Sequence, residues 1–385
     1  MPELGFALPQ EGRSGGLNLA DRAPSGDNAS RMEQEGSRRR QENGDERMAL
    51  TCHCLAAGEV DWQALDAFDD RTFSQRRCWL EFLEAFTNGK IIIAALDRGG
   101  EVVGFFTGIV FSRYGVPILG SPFHGWTTPY MGFNLAPDIP RGDALQALER
   151  FAFGELGCVH LEVTDRYLTI EEGEKLGFTY RLTQSYLSDL RPSEEEIFAG
   201  MASACRRAIR KSGKCGVTVE AASAEGFADE YYEQLVDVFA KQSLKPTYDR
   251  RRVQALIDAV CPSGNLLLAR ARDAEGRSIA TGIYPGFNGS SFFWGNGSLR
   301  QYQILRPNEA LHWFAMRYWR KRGARFHDWG GGGTYKAKYG GAPFTVPAFR
   351  KARYRLVLHA RDAAAKLYYL PRQFARRRYL HSRAR

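Results

Sequence analysis

Apolar residues recur along this chain with two different periods, and the changes of period predict an alternation of strands and helices. Ile91–Phe111 and Leu266–Tyr284 each consist of two apolar runs joined by a polar turn, which is typical of a β-hairpin. Downstream of each hairpin, apolar residues recur at helical spacing in Ala144–Leu156 and Asn308–Arg322. A glycine and a short apolar strand follow each helical pattern.

The order of hairpin, helix, glycine and strand therefore occurs twice, and its last members are Val159–Val163 and Arg325–Trp329. A repeat of this kind predicts an α/β protein of two similar units, each a mixed twisted sheet flanked by helices. We expect the first unit at residues 48–190 and the second unit at residues 191–358. A chance match between two generic hairpins is the alternative interpretation.

The two ends of the chain have a different composition. Residues 1–47 contain almost no large apolar residues, which predicts a disordered extension that is neither a secretory signal nor a membrane anchor. The net charge of the chain is +9, and residues 350–385 hold twelve Lys or Arg against one Asp. Residues 359–385 are therefore predicted to be a basic tail. This tail either contacts an anionic membrane surface or polymer, or is only a solvated extension.

A glycine run directly follows the last predicted strand, at the end of a strand where open α/β sheets commonly bind ligands. Residues 330–333 are all glycine, which lets backbone approach a ligand, and Lys336 and Lys338 then offer positive charge. Asp328 is the first candidate for a carboxylate that accepts a proton, or it only orients the turn by accepting its N–H groups. His327 alternates onto the opposite face of the strand and is predicted to be structural.

Two motifs resemble the Fem family of aminoacyltransferases and its acyltransferase relatives. Met201–Val219 contains a basic helix of the form Arg-Arg-x-Ile-Arg-Lys ahead of a strand, and Tyr-Lys-Ala-Lys-Tyr-Gly follows the aspartate strand at residues 335–340. This resemblance implies a tandem of GNAT-type acyltransferase domains, in agreement with the repeat. The helical arm that some Fem proteins insert in the second domain is missing, which weakens the case for a donor carried by tRNA.

By resemblance to the family motif, Tyr335, Lys336 and Lys338 would contact substrate phosphates or the transferred acyl carbonyl. We therefore expect the catalytic residues to be Lys336, Asp328 and Tyr335. Acyl transfer also needs groups that orient both substrates. The candidate substrate-binding residues are Arg206, Arg207, Arg210, Lys211, Lys338, Arg306, Asn308, His124, Trp126 and Tyr130.

Each group of binding candidates has a second interpretation. The cations of the basic helix either hold a diphosphate or a tRNA end, or form a solvated face. Arg306 and Asn308 lie where a helix begins and are candidates for donor-phosphate contacts, although Asn308 is equally a candidate N-cap. The aromatic segment Ser121–Phe133 resembles the acceptor-side loop of the superfamily. Its aromatic side chains either stack on a sugar or peptide, or pack against the hairpin.

Seven scattered cysteines favour a reduced, cytoplasmic protein, with a peripheral position at the inner membrane as the alternative. Cys52-His53-Cys54 lacks a second ligand pair at zinc-finger spacing, so we expect no metal. We also expect no bound cofactor, because the acyl group would come from a donor substrate, either acyl-CoA or aminoacyl-tRNA. Residues 299–307 contain no glycine, so the motif of a CoA phosphate loop is missing.

These features together predict a transferase that moves an acyl or aminoacyl group onto an amine of a cell-envelope precursor. The precursor would belong to peptidoglycan or polysaccharide synthesis and be free or lipid-linked. One alternative is an acyl-CoA-dependent N- or O-acetyltransferase in exopolysaccharide synthesis. The other alternative is a non-catalytic module that binds a polyanion or a membrane through the basic tail.

Overall fold

The computed structural model describes residues 49–113, 115–240, 244–331, 333–354 and 356–357. The extension predicted at residues 1–47 and the basic tail predicted at residues 359–385 lie outside the described residues. What we expect of these two segments therefore stays a prediction.

The first half of the chain contains the predicted hairpin as its second and third strands. Its strands are β1 (Thr51–Cys54), β2 (Lys90–Arg98), β3 (Glu101–Arg113), β4 (Val116–Ser121), β5 (Gly132–Leu135), β6 (His160–Thr164) and β7 (Thr179–Asp189). Its helices are α1 (Trp62–Asp66), α2 (Arg77–Thr87), α3 (Arg141–Arg150) and α4 (Ile170–Lys175). The helix predicted in Ala144–Leu156 is α3 followed by a π-helical turn, Phe151–Glu155.

The second half repeats this order. Its strands are β8 (Thr218–Ala221), β9 (Leu266–Arg272), β10 (Ser278–Phe287), β11 (Ser290–Phe292), β12 (Gly295–Ser298), β13 (Phe326–Asp328) and β14 (Ala342–Ala352). Its helices are α5 (Glu194–Gly200), α6 (Ser203–Lys214), α7 (Phe227–Ala240), α8 (Arg250–Val260) and α9 (Pro307–Lys321). The strand predicted at Arg325–Trp329 is shorter than expected by one residue at each end, as β13.

The described strands form one continuous mixed sheet. Its main path runs β1-β2-β3-β4-β6-β14-β7-β13-β11-β10-β9-β8, with β5 beside β3 and β12 beside β10. The pairs β4/β6 and β11/β13 are parallel, one in each half. The path has the same order from both ends, and at its centre β14 of the second half lies between β6 and β7 of the first. The predicted fold class, a tandem of two similar α/β units, is confirmed, whereas the exact unit boundaries stay predictions.

The two halves share a hydrophobic core cluster. Trp79 and Phe82 of α2 are fully buried, and so are Val253 and Leu256 of α8, because the apolar stripes of these two helices face each other. Phe73 of the first half stacks on Phe292 of β11, with ring centroids 5.3 Å apart. Burial of these large side chains fixes the position of one half against the other.

A hairpin turn of the second half also holds a loop of the first half. Asn288 and Gly289 both have positive φ, 46° and 71°, as a tight two-residue turn requires. The Asn288 Nδ2 atom lies 3.2, 2.9 and 3.1 Å from the carbonyl oxygens of Phe68, Asp69 and Arg71. This contact places the loop beside β11, where it forms one wall of the cavity described below.

Candidate active site

Asp328 ends β13 with only 2% of its surface exposed. Its Oδ2 atom accepts a hydrogen bond of 2.8 Å from the Tyr130 hydroxyl. Its Oδ1 atom accepts hydrogen bonds from the Ser185 hydroxyl at 2.7 Å and from the Gly330 N–H at 2.8 Å. A carboxylate has about four lone-pair sites, so Oδ2 retains one for a further proton. Asp328 therefore orients the glycine turn, as one interpretation predicted, and also has capacity to accept a proton.

Tyr130 connects the two halves of the chain at this point. Burial and the neighbouring Asp328 carboxylate raise the pKa of Tyr130 well above its ordinary value, so its hydroxyl stays protonated and donates. The hydroxyl is thus bound to Asp328, a contact that neither interpretation of the aromatic segment predicted. The stacking of the Tyr130 ring on a sugar or peptide stays a prediction. The Arg166 guanidinium carbon lies 5.7 Å from the centroid of the Tyr130 ring.

A cavity of about 90 Å³ lies beside Tyr130 and Asp328, between the two halves. The first half contributes Asp69, Asp70, Arg71, Thr72, Phe73, Tyr130, Arg166 and Tyr167, and the second contributes Asn288, Ser290, Ser291, Phe292, Arg325, Phe326 and Asp328. Both halves of the sheet thus contribute residues to one cavity.

Lys336 is buried beneath the glycine turn, with 6% of its surface exposed. Its Nζ atom donates to the carbonyl oxygens of Trp329, Gly330 at 3.2 Å and Gly331 at 2.9 Å. Burial lowers the pKa of Lys336 to about 8, against the opposing effect of Asp328. The ammonium group therefore stabilises the turn in this structure, whereas the sequence analysis placed it on a substrate phosphate or acyl carbonyl.

Tyr335 and Lys338 flank this lysine in the turn Thr334–Tyr339. Burial raises the pKa of Tyr335 to about 12, so its hydroxyl stays protonated at neutral pH. The Lys338 Nζ atom pairs with Glu309 at 2.8 Å and lies 5.0 Å from the centroid of the Tyr339 ring. The predicted contacts of Tyr335 and Lys338 with substrate stay predictions.

The basic helix α6 lies away from the residues that line the cavity. Arg207 and Lys211 are exposed, as the solvated-face interpretation predicts. Arg206 donates to the Ala199 carbonyl, and the Arg210 guanidinium lies 5.1 Å from the Phe198 ring. The helix therefore packs its arginine stems on α5, and its predicted contact with a phosphate stays a prediction.

The start of α9 differs from the prediction. The helix begins at Pro307, and Arg306 precedes it in the left-handed conformation with φ of 62°. Asn308 is therefore inside the helix, and the N-cap interpretation is wrong. Its side chain instead accepts from Asn296 at 3.0 Å and donates to Ser298 at 3.3 Å, which ties the helix to β12. Arg306 is exposed, and its predicted contact with donor phosphate stays a prediction.

Trp126 is buried, and its ring packs on Phe123, Phe86 and Phe111 with centroids 5.2, 6.2 and 6.0 Å apart. The ring therefore packs against the hairpin, as one interpretation predicted, and its predicted stacking on a substrate stays a prediction. His124 is exposed, and its backbone N–H lies 3.3 Å from a Glu162 carboxylate oxygen.

A larger cavity, about 640 Å³, lies where α2 and α8 meet. Its lining carries three cations, Lys245, Arg251 and Arg252, and one carboxylate, Asp249. Its aromatic rings are those of Phe86, Tyr232 and Tyr248. The Arg252 guanidinium lies 4.1 Å from the Phe86 ring centroid and donates to the Thr127 hydroxyl at 2.8 Å. Its Nε atom is buried and has no hydrogen-bond partner among the described residues.

Sequence reasoning missed Ser185, Arg166 and Arg252. Arg166 had a usable signal, because Asp165-Arg166 directly follows β6, as Asp328 ends the equivalent strand β13. Ser185 had no such signal, since it is a polar residue inside a strand. Arg252 had none either, since it belongs to a run of three arginines on a helix.

His327 is structural, as predicted. Its Nδ1 atom lies 2.8 Å from the Ser291 hydroxyl, and burial lowers the pKa of His327 to about 3. The native state therefore keeps this ring neutral, while the unfolded chain binds a proton below about pH 6.5. We expect the free energy of unfolding to fall by about 2 kcal/mol between pH 7 and pH 5 through this group.

Denaturant unfolding of the native chain and of His327→Gln at these two pH values tests this expectation. The variant should lose less stability on acidification, since glutamine does not titrate. Buried His312 titrates in the same direction and remains in both proteins, so only the difference between them is informative. Equal losses in both proteins would show that His327 is not the source.

Within the described residues, no group of three or more His, Cys, Asp or Glu side chains is placed to hold a metal ion. No helix in the same part of the chain is both long and apolar enough to cross a membrane.

Residues 200–339 match the family model of the acetyltransferase (GNAT) domain, and this segment includes Asp328, Lys336 and α6. Residues 200–339 are therefore a GNAT domain.

Solved structures are similar over most of the chain. FemX is 13% identical, with a TM-score of 0.60 over 77% of this chain and 96% of its own. A conserved protein of unknown function from Bacteroides thetaiotaomicron VPI-5482 is 11% identical, with a TM-score of 0.51 over 78% of this chain and 99% of its own. These likenesses show the fold, and the resemblance to Fem-type tandem-GNAT proteins is confirmed at that level. A comparison with curated protein sequences finds no match.

Proposed function

We propose that the protein is a transferase that moves an acyl or aminoacyl group onto an amine of a cell-envelope precursor. The observation that carries this proposal is the position of Asp328. The second half places this carboxylate at the end of β13, and the first half holds it through Tyr130 beside the cavity. A carboxylate with a lone pair free, at the strand ends of a GNAT fold, suits proton removal from an amine.

An amine is protonated at neutral pH and must lose a proton before it attacks an acyl carbonyl. In this proposal the amine enters the cavity and gives its proton to Asp328 Oδ2. The nitrogen then bonds to the acyl carbon, and the thioester or ester bond of the donor breaks. Asp328 passes its proton to the leaving sulfur or oxygen, and the acylated nitrogen loses its second proton to solvent. The reaction thus releases one proton overall, and Asp328 ends the cycle ionised.

The glycine turn has a separate task in this proposal. The Lys336 ammonium donates hydrogen bonds to the carbonyls of Trp329, Gly330 and Gly331, so these three carbonyls point toward the lysine. In a trans peptide the N–H points away from the carbonyl of the same unit. The N–H of Gly331 thus points away from the lysine and is our candidate to polarise the acyl oxygen.

The larger cavity supports a precursor that carries phosphate. Three cations and three aromatic rings suit a nucleoside diphosphate or a lipid diphosphate, because guanidinium groups bind phosphate oxygens and rings stack on bases or sugars. Arg252 contacts Thr127, and Tyr130 contacts Asp328. Thr127 and Tyr130 are three positions apart in the chain, which corresponds to at most about 11 Å. In this proposal one elongated acceptor therefore occupies both cavities.

The alternative is an acyl-CoA-dependent acetyltransferase that acts on a polysaccharide building block. The description of the matched family as an acetyltransferase domain favours it.

Transfer assays with two donors and two acceptors test the proposal. The donors are acetyl-CoA and a mixed aminoacyl-tRNA pool, and the acceptors are a UDP-linked muramoyl pentapeptide and UDP-glucosamine. Mass spectrometry of the acceptor identifies the added group. Transfer to the peptide amine supports the proposal, and transfer to the sugar from acetyl-CoA alone supports the alternative. No product from any combination, with tRNA or membrane binding retained, would favour the non-catalytic module.

The larger cavity gives a second expectation. Arg252→Gln should raise the KM for a UDP-linked acceptor about tenfold and change kcat less than threefold, because the lost contact serves binding away from the reacting atoms. Steady-state kinetics at fixed ionic strength measures both constants. Lys245→Gln is an exposed second variant with a smaller rise in KM, and Arg250→Gln is the control, since Arg250 pairs with Asp229 outside the cavity lining. A KM unchanged in Arg252→Gln and Lys245→Gln contradicts phosphate binding here.

A further inference from the structure

Two arginines face the cavity beside Asp328 without a partner that uses their charge. Arg166 comes from the first half and Arg325 from the second. Within the residues that the structure describes, neither guanidinium group forms a hydrogen bond or an ion pair. Arg166 is instead held among rings, with its guanidinium carbon 5.7 Å from Tyr130, 5.9 Å from Tyr167 and 5.8 Å from Phe344.

The acids near these two arginines are already engaged. Asp165, the chain neighbour of Arg166, accepts from Arg141 at 2.7 Å and from three backbone N–H groups. Asp70 also pairs with Arg141, and Asp328 accepts the three hydrogen bonds described above.

The lining holds three arginines and three aspartates, and among the described residues Arg166 and Arg325 are the two of these arginines that form no ion pair. Arg71 is paired with Asp66 at 3.1 Å, so its charge is compensated. Asp69 and Arg325 are both exposed, and the Asp69 backbone carbonyl accepts from Asn288. Arg166 and Arg325 are therefore the cations available to an anionic group that enters the cavity.

We propose that the acceptor amine belongs to a molecule that also carries a carboxylate, and that Arg166 and Arg325 bind this carboxylate while the amine lies beside Asp328. This inference rests on the proposed function and names the substrate class of the same site. An ammonium group beside a carboxylate and a carboxylate beside two guanidinium groups give complementary charge at both ends of one small ligand.

The shape of a carboxylate suits the two guanidinium groups. A planar guanidinium matches a planar carboxylate with two parallel hydrogen bonds. The acceptor is thus of the amino-acid or peptide type, or an amino sugar acid, and an uncharged amino sugar lacks the group that the arginines would bind.

Matched pairs of amines test the inference. Each pair consists of a free amino acid and its primary amide. The acids are L-alanine, β-alanine and γ-aminobutyrate, in which the amine and the carboxylate are separated by increasing lengths. Calorimetry measures the binding of each compound to the full chain, and transfer from acetyl-CoA and from an aminoacyl-tRNA pool is measured in parallel. The variants are Arg166→Gln and Arg166→Lys. Arg272→Gln is the control, since Arg272 of β9 pairs with Glu220 of β8 outside the cavity lining.

We expect the native chain to bind at least one acid at least tenfold more tightly than its amide. Arg166→Gln should abolish this preference, Arg166→Lys should retain part of it, and Arg272→Gln should retain all of it. Equal binding of acids and amides by the native chain, or an unchanged preference in Arg166→Gln, overturns the inference. Displacement of the acid by inorganic phosphate at equal concentration also overturns it. Arg166-dependent binding of an acid without transfer from either donor supports the inference and overturns the proposed function alone.

Discussion

Asp328→Asn is expected to lower kcat for acyl transfer by about 10²–10⁴-fold, the usual contribution of a positioned general base. Asparagine has the size of aspartate, so β13 and the cavity should keep their shape. Its amide cannot take a proton from the acceptor amine, and one of the two positions now occupied by carboxylate oxygens becomes an N–H donor. The measurement is steady-state transfer to the best acceptor found, with unfolding followed by circular dichroism.

Two further variants separate chemistry from structure at this site. Asp69→Asn changes an acid that lines the same cavity, and it should alter kcat less than threefold because Asp69 is exposed at the rim. Tyr130→Phe removes one donor to Asp328 and should reduce kcat less than Asp328→Asn does. A folded Asp328→Asn protein with transfer within threefold of the native rate would rule out Asp328 as the base. A route in which the substrate itself accepts the proton, without a protein base, would then remain.

Lys336→Met is expected to destabilise the protein by about 2–4 kcal/mol, because three carbonyl groups beneath the glycine turn lose a charged donor. Methionine fills a similar volume, so the loss reflects hydrogen bonds more than packing. Transfer should also fall steeply, since the turn no longer holds the Gly331 N–H in place. Urea unfolding gives the stability change, and kinetics at a temperature where the variant is folded gives the activity change.

Lys338→Met is the matched control two residues along the same turn. Its ammonium pairs with Glu309 at a partly exposed position, and such pairs contribute about 0–1 kcal/mol. We therefore expect a small stability change in this variant. If Lys336→Met keeps native stability but loses transfer, the lysine acts on substrate, as the family resemblance implied. If it keeps both, neither role is correct.

The repeated hairpins, the two helices that follow them and the basic helix were predictable because each rests on a local pattern. The period of apolar residues decides which side chains share a face, and that decision needs only neighbouring residues. The position of Asp328 was predictable for the same reason, since it lies near the end of a short apolar strand just ahead of the glycine run. Asn308 was misplaced by a local ambiguity, because an asparagine after Pro307 fits a cap as well as the first turn.

The roles of Tyr130 and Lys336 were not predictable in this way. The aromatic segment that contains Tyr130 has no periodic pattern, and its hydroxyl finds its partner 198 residues away. The motif around Lys336 suggested positive charge for a ligand, but the fold of the glycine turn brings three carbonyls to the ammonium first. Burial of a lysine depends on the surrounding packing, which a local motif does not specify.

The sequence by itself determined the two α/β units, their order of strands and helices, the glycine turn and the aspartate at its start. Side-chain period and the conformational freedom of glycine act within a few residues, so these features are encoded locally. Only the tertiary structure decided which residues meet at the site. At the centre of the sheet, β14 of the second half pairs with β6, and β7 of the first half pairs with β13. This pairing joins the two halves and places Tyr130, Ser185 and Arg166 around Asp328. Contacts across such distances depend on how whole sheets pair and pack, which no short pattern in the chain records.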